Sequence, residues 1–245
     1  MNYEVVKLPS RGLCYEREDN IPAEVTIRPF KTADEKSLYG TGGVKGINIL
    51  LSRCIVEPKD LDVDKLTAFD KTAILLKLRA ITLGSMYNFK ARCPFCRTET
   101  KMEVDLDSLP VNFLEEDMIP LACKLPQSGD ELELRFINEK ERARLETVAQ
   151  RATHKRKDVT ANDELYILRL VASICKVNGE ELEAFALRDY VEDMSGMDSA
   201  YLHRYMSDLD IGVDMTVEHE CDNPDCGEFF DVVVSPGYEF FRPEF

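Results

Sequence analysis

The chain is organised around Ala91-Arg92-Cys93-Pro94-Phe95-Cys96-Arg97, which has a distant counterpart in Glu220-Cys221-Asp222-Asn223-Pro224-Asp225-Cys226-Gly227. Both stretches place two cysteines in a short loop that contains a proline. Apolar and polar residues alternate on both sides of each loop, over 87–90 and 101–106 for the first and 215–219 and 229–234 for the second. This pattern predicts two β-hairpins that carry cysteines at their tips.

The two loops together offer four thiols with the spacing of metal ligands: Cys93, Cys96, Cys221 and Cys226. A structural zinc site takes four ligands in a tetrahedron, and one hairpin tip supplies only two of them. We therefore predict that the tips meet around one Zn²⁺. Gly227 follows the last cysteine, where a positive φ is often required. Four thiolates leave no open position on the metal, so such a site would be structural and not catalytic.

The cysteine pattern leaves other interpretations open. The hairpins could carry incidental thiols and no metal, or His219 could replace one cysteine as a ligand. A redox Cys-x-x-Cys pair is disfavoured because no βαβ pattern surrounds Cys93. We expect Cys54 and Cys175 to be small core residues on apolar helical faces. The cysteines outside the two loops are Cys14, Cys54, Cys123 and Cys175.

Composition and charge exclude several classes of protein. The chain has 245 residues, of which 44% are hydrophobic and 31% charged, as in a globular protein. No apolar run reaches the roughly 18 residues of a membrane span. No secretory signal is visible, so we expect reduced thiols in a cytoplasm. The net charge of −15 disfavours binding to nucleic acid. The basic run at 151–157 is either a solvated helix end or a docking patch for an acidic partner.

Periodicity over the rest of the chain predicts an α+β fold in four parts. Residues 1–86 form a β segment and helices, and 87–137 form the first zinc knuckle with further strands. Residues 138–210 form a helical insert between the knuckles. Residues 211–245 form the second knuckle and an aromatic tail, which either packs on its own domain or docks on a partner. The fold is thus a set of helical segments around a two-knuckle, zinc-ribbon-like β unit.

Residue pairs with capping spacing predict where three helices begin. They are Thr32 with Glu35, Asn138 with Glu141, and Thr160 with Asp163. We expect a half-buried strand at 23–28, with Val25 and Ile27 on one side, and another strand at 132–136. Apolar periodicity predicts a helix whose apolar face runs from Ile47 to Ile55, one that begins near Thr67 and stops at Gly84, and one after Thr160 whose inner face extends to Cys175. We also expect a turn at Asn178-Gly179 and a last helix that opens at Asp198. The glycines near Lys45 do not have phosphate-loop spacing, and the aspartates from Asp60 lack the Gly and Glu of a calcium loop. Neither motif therefore supports an activity.

Several short motifs follow one another in the first half of the chain. They are Leu8-Pro9-Ser10-Arg11-Gly12 with Tyr15, Ile27-Arg28-Pro29-Phe30 leading into Thr32-Ala33-Asp34-Glu35, Leu66-Thr67 with Asp70, Leu75-Leu76-Lys77-Leu78-Arg79, Tyr87, and the first cysteine loop. In this order they resemble the baseplate hub assembly proteins of T-even-like bacteriophages, over about residues 5–110, and the second knuckle is also similar. The resemblance implies a role in building the central hub of a contractile tail, or in handling the tape-measure protein. It implies no catalytic residues.

We therefore expect a non-enzymatic phage tail assembly protein with a structural zinc site. Its expected partners are other tail or baseplate hub proteins, with the tape-measure protein as a further candidate, and neither nucleic acid nor membrane. It would act in the host cytoplasm during assembly, and the virion baseplate is a second location. The alternative from another class is a zinc-ribbon adaptor in transcription or nucleic-acid binding, supported by the knuckle pair and the run at 151–157.

Overall fold

The structure is a computed structural model that describes residues 3–40, 43–153, 160–235 and 238–241. It is a mixed α+β fold, as predicted. The helices are α1 (Thr32–Gly40), α2 (Gly43–Cys54), α3 (Ala68–Leu83), α4 (Glu139–Thr153), α5 (Ala161–Ser173), α6 (Ala184–Glu192) and α7 (Gly196–Asp208). The strands are β1 (Glu4–Lys7), β2 (Glu24–Ile27), β3 (Ile55–Glu57), β4 (Met86–Arg92), β5 (Glu99–Asp105), β6 (Val111–Asn112), β7 (Leu121–Lys124), β8 (Glu131–Leu134), β9 (Ile174–Val177), β10 (Gly212–Val213), β11 (Thr216–Glu220) and β12 (Phe229–Val233).

The N-terminal part is an antiparallel sheet in the order β1-β2-β3, packed with α2 and α3. Val25 and Ile27 of β2 are buried and their neighbours are not, as the alternation predicted. Ile55 was expected on the helix before it, but α2 ends at Cys54 and Ile55 pairs with Ile27 in the sheet. The β-branched pair Ile55-Val56 favours a strand, and tertiary pairing with β2 decides the outcome. Fully buried residues of this first core include Leu8, Ile27, Leu50, Leu66 and Leu78.

Two of the three predicted helix caps are confirmed. Thr160 and Asp163 form a complete capping box at α5, and Asn138 and Glu141 exchange the equivalent hydrogen bonds at 2.8 and 3.2 Å before α4. The third predicted cap, Thr32 with Glu35, is wrong, because Thr32 lies inside the first turn of α1.

At the start of α1 the capping carboxylate belongs to Asp34, which accepts the Lys31 N–H at 2.9 Å. The Arg28 guanidinium orients that carboxylate through two hydrogen bonds of 2.8 and 3.2 Å. These bonds also lower the pKa of Asp34, so the pair stays charged at neutral pH.

The segment expected to be a helical insert contains a strand. α5 ends at Ser173, and β9 joins β7 and β8 in an antiparallel sheet. The turn at Asn178-Gly179 has positive φ at both residues, as the sequence indicated, and it follows β9 directly. Cys175 was expected in the core, but it is exposed on β9 because alternate strand residues point to opposite faces. The pairing between β8 and β9 crosses the predicted boundary at 137/138. The division of the chain into four parts stays a prediction.

A second core lies between this sheet and α5, α6 and α7. Its fully buried leucines include Leu114, Leu125, Leu132 and Leu202. The last helix was expected to open at Asp198, and it begins two residues earlier, capped by the Ser195 side chain. The buried Asp198 carboxylate instead accepts the backbone N–H groups of Gln127 and Ser128, at 2.7 and 3.1 Å. This carboxylate therefore fixes the β7–β8 turn against α7.

The chain enters and leaves this second core through one short ladder. β6 pairs antiparallel with β10, so Asn112 lies opposite Gly212 and Val111 opposite Val213. The Asp214 N–H donates to the Pro110 carbonyl at 2.9 Å, next to that ladder. The segment 113–211 therefore begins and ends at adjacent positions in the structure. This closure returns the chain to the first hairpin just before the second hairpin begins.

Gly212 is the position in this ladder where a side chain cannot fit. Its φ is +128°, and an added Cβ would lie 2.9 Å from the Cβ of Phe69. We expect Gly212→Ala to lower the free energy of unfolding by about 2–4 kcal/mol, from backbone strain and overpacking together. Urea unfolding under reducing conditions measures it. Gly196→Ala is the matched control, because nothing lies within 4 Å of its Cβ. Equal loss in both variants would contradict the prediction.

Candidate metal centre

Both predicted hairpins are present. β4 pairs with β5 from Met86 opposite Asp105 to Arg92 opposite Glu99, which places the first cysteine loop at the tip. β11 pairs with β12 from Thr216 opposite Val233 to Glu220 opposite Phe229, and the second loop lies at that tip. The first hairpin buries one face, and the inward face of the second is half-buried around the buried Phe230, in line with the alternating sequence.

The four cysteines of the two loops meet. Their sulfur atoms all lie within 4.8 Å of one another. Cys93 Sγ is 3.9 Å from Cys226 Sγ, and Cys96 Sγ is 3.5 Å from Cys221 Sγ. Tetrahedral zinc with bonds of about 2.3 Å requires sulfur–sulfur edges of about 3.8 Å. The cluster thus has the size and the ligand number of a four-thiolate metal site, although its members come from positions up to 133 apart in the chain.

Backbone N–H groups are aimed at three of the sulfurs. Each donor lies two positions after a cysteine: Thr98 donates to Cys96, Asn223 to Cys221, and Glu228 to Cys226. Hydrogen bonds of this kind stabilise thiolates, the form that binds a metal. The loop backbone therefore supports these three sulfurs as anions.

The two loops share a backbone turn after the second cysteine. Gly227 has φ of +59°, as its identity suggested, and Arg97 has φ of +64° at the equivalent position. The Arg97 N–H donates to the Cys93 carbonyl at 2.9 Å, and the Gly227 N–H donates to the Asn223 carbonyl at 3.1 Å. A non-glycine residue rarely adopts this conformation. The first loop therefore adopts the same turn as the second although it has no glycine at this position.

Without a cation Cys96 and Cys221 do not ionise alike. A hydrogen bond with the Thr98 hydroxyl and one from the Thr98 N–H lower the pKa of Cys96 to about 6. The Asn223 N–H favours the thiolate of Cys221, but burial and hydrogen bonds with the other thiols raise its pKa to about 12. Neighbouring negative charges at these distances repel one another. A bound cation is what would allow all four to be thiolates together.

His219 does not join the cluster. Its Nε2 lies 3.7 Å from Asp222 Oδ1, and its ring packs edge-on against Phe230 with centroids 5.8 Å apart. Among the described residues the metal-type group contains cysteines alone. The cysteines outside the loops lie elsewhere: Cys54 is buried in the first core as expected, Cys123 is buried in the second, Cys14 is half-buried and Cys175 is exposed.

A buried polar network accounts for motif residues to which sequence reasoning assigned no role. The Asp70 carboxylate accepts the Ser10 N–H at 2.9 Å, the Ser10 hydroxyl at 2.6 Å and the Tyr15 hydroxyl at 2.5 Å. The Tyr15 oxygen in turn accepts the Thr67 N–H at 2.9 Å. Burial raises the pKa of Asp70, and these hydrogen bonds offset part of that cost. The sequence contained the signal, because all four residues belong to the phage-like motifs.

Arg79, in another of those motifs, holds the described part of the tail. Its guanidinium lies 5.1 Å from the Tyr87 ring centre and 5.6 Å from that of Phe240, and it donates to the Phe240 and Gly84 carbonyls. Phe240 and Phe241 are buried in the first core, so this part of the tail packs on its own domain. The remaining tail positions, 236–237 and 242–245, lie outside the described residues. So do residues 154–159, which include most of the basic run.

The fold and the site define an α+β protein in which a metal-type cluster of four cysteines joins two hairpins that are distant in sequence. The family model described as T4 bacteriophage base plate protein matches residues 1–242, and the chain belongs to this family. No curated protein and no solved structure matches it. The expected phage baseplate resemblance is confirmed, and it covers far more than residues 5–110.

Membership defines a structural role in the baseplate of a phage tail, in contact with other baseplate or tail proteins. Within the described residues, no helix is both long enough and apolar enough to span a membrane.

Proposed function

We propose that this baseplate protein is a non-enzymatic assembly factor that acts in forming the baseplate hub or as a chaperone of the tape-measure protein. The observation that carries the proposal is the family match over residues 1–242. The motifs that resemble hub assembly proteins support it. Their side chains lie in buried structural networks, such as Asp70 with Ser10 and Tyr15, as expected of a scaffold. Its site of action would be the host cytoplasm during assembly and the virion baseplate.

We propose that Cys93, Cys96, Cys221 and Cys226 bind one structural Zn²⁺. The sulfur separations of 3.5 and 3.9 Å and the donation of backbone N–H groups to the sulfurs support this assignment. The donor set is complete with four thiolates, so the metal would hold the two hairpins together and activate no water. The binding energy of such a metal contributes to folding, since the unfolded chain cannot present the site.

The nucleic-acid adaptor is disfavoured as the alternative function. A net charge of −15 repels a phosphate backbone. The basic run that supported this alternative lies mostly outside the described residues. Filter binding at low salt tests it directly, because a true nucleic-acid binder loses affinity steeply as salt rises.

The test of the proposal uses the phage that encodes this chain. A null allele is expected to produce tails without a complete baseplate hub, visible by electron microscopy, and plasmid-borne wild type should restore them. In parallel, the purified protein should bind at least one purified hub or tape-measure protein. Normal hubs in the null phage, together with binding to no such protein, would overturn the proposal. Mass spectrometry of purified virions then separates the two roles, since a chaperone leaves and a hub component stays.

A further inference from the structure

The two cysteine hairpins carry opposite charges at equivalent positions. On the first hairpin Lys90 lies directly opposite Lys101, and on the second Glu218 lies directly opposite Asp231. In both hairpins the two residues lie three positions before the first cysteine of the loop and five after the second. All four side chains are exposed. Like charges directly across two strands destabilise a hairpin, and this protein has one such pair of each sign.

The second hairpin presents an acidic and apolar face. Residues 211–235 contain no Lys or Arg, and Glu220 adds a third carboxylate to the exposed side of β11–β12. Phe229 and Val233 flank Asp231 on the same side and are 59% and 65% exposed. We call this the acidic face. Exposed apolar side chains rimmed by charged ones are typical of a surface that binds another protein.

The first hairpin presents the complementary face. Its exposed side and tip have four cations, at Lys90, Lys101, Arg92 and Arg97, against three carboxylates, at Glu99, Glu103 and the half-buried Asp105. The side and tip together therefore have a net charge of +1, and Lys90 forms an ion pair with Glu99 at 3.0 Å. Phe95 at the tip is 63% exposed. We call this the basic face.

We propose that the basic face of one copy of this protein binds the acidic face of a second copy. The charged side chains at the centre of each face are exposed to solvent within one chain. In a pair of copies each like-charge pair meets its opposite, and Phe95, Phe229 and Val233 lose exposed surface. Each copy has one face of each sign, so the contact either closes reciprocally between two copies or continues from copy to copy. This inference does not depend on the hub role.

Charge-reversed variants of the full chain test the proposal. Sedimentation velocity of the zinc-replete protein is measured over a wide concentration range in about 0.05 M and about 0.5 M salt, because screening weakens contacts between exposed charges. The acid-reversed variant is Glu218→Lys with Asp231→Lys, and the base-reversed variant is Lys90→Glu with Lys101→Glu. Glu116→Lys with Asp117→Lys is the control for the acid-reversed variant, because it makes the same charge change at exposed residues elsewhere. Zinc content and circular dichroism verify that each variant is folded.

The expected result has three parts. Wild type and the control associate at low salt and dissociate at high salt. Each reversed variant alone is monomeric, since it carries two faces of one sign, and an equimolar mixture of the two associates again. Wild type that is monomeric throughout, or association that survives both reversals, would overturn the proposal. Loss of binding to a basic tail protein in the acid-reversed variant, with monomeric wild type, would assign the acidic face to that protein instead.

Discussion

Replacing Cys93 by serine is expected to remove one equivalent of zinc per chain and to lower the free energy of unfolding by at least about 3 kcal/mol. Structural zinc contributes roughly 10–16 kcal/mol in small zinc-finger peptides at neutral pH, and losing one of four ligands forfeits much of it. Metal analysis and urea unfolding under reducing conditions measure both effects. Cys226→Ser should behave alike, since its sulfur lies 3.9 Å from that of Cys93 in the same cluster.

Cys175→Ser is the matched control for this experiment. Cys175 is exposed on β9 and distant from the cluster, so its replacement should change neither zinc content nor stability. Cys14 is a poorer control because it packs against the second core. A chelator should lower the stability of wild type to that of Cys93→Ser and leave the variant unchanged. Full zinc content in Cys93→Ser would contradict the proposed ligand set.

Asp70→Asn is expected to lower the free energy of unfolding by about 2–4 kcal/mol. The carboxylate accepts three donors from Ser10 and Tyr15 in a buried site, and hydrogen bonds to a charged group contribute about 1.5–3 kcal/mol each. An amide of the same size keeps one acceptor and turns its other end into a donor toward hydroxyl groups that already donate. Urea unfolding at neutral pH measures the loss. Burial also raises the pKa of Tyr15, which therefore remains a donor.

A double-mutant cycle separates this network from a general effect of the substitution. Tyr15→Phe removes one donor, and combined with Asp70→Asn it should cost less than the two single changes added together, by more than about 0.5 kcal/mol. Asp189→Asn is the control, because that residue is exposed on a helix surface. Additive losses in the cycle would show that Tyr15 and Asp70 do not act together. Loss of stability in Asp189→Asn equal to that in Asp70→Asn would remove the network from the explanation.

Local interactions explain which features of the fold could be predicted from the sequence. The cysteine loops, their flanking strands, the cap at Thr160 and the turn at Asn178 each depend on a few adjacent residues, so the sequence predicted them correctly. The helix capped by Thr67 likewise begins and ends where its sequence indicates, with Gly84 after its last turn. Patterns within about ten residues determine these features, because backbone geometry and nearby hydrogen bonds are sufficient there.

Contacts between distant segments explain why the predictions for Ile55 and Cys175 were wrong. Ile55 and Cys175 follow helices whose apolar periodicity includes them, yet each lies in a strand because a remote strand offers a pairing partner. Intrinsic propensity is weak enough that such contacts override it. The error at the start of α1 is local instead: Asp34, and not Glu35, caps the helix, through the Lys31 N–H three positions earlier and the Arg28 guanidinium six positions earlier.

The metal centre likewise depends partly on local sequence and partly on contacts between distant segments. The sequence by itself determined the four candidate ligands, since their spacing within each loop is local. Only the tertiary structure decided that the loops meet, because β6 and β10 pair and bring the ends of residues 113–211 together. The same holds for the motif residues, whose order identified the family while their joint burial around Asp70 depends on packing of the N-terminal loop against α3. The spacing of residues within a loop specifies local geometry, whereas contacts between residues about a hundred positions apart depend on the whole fold.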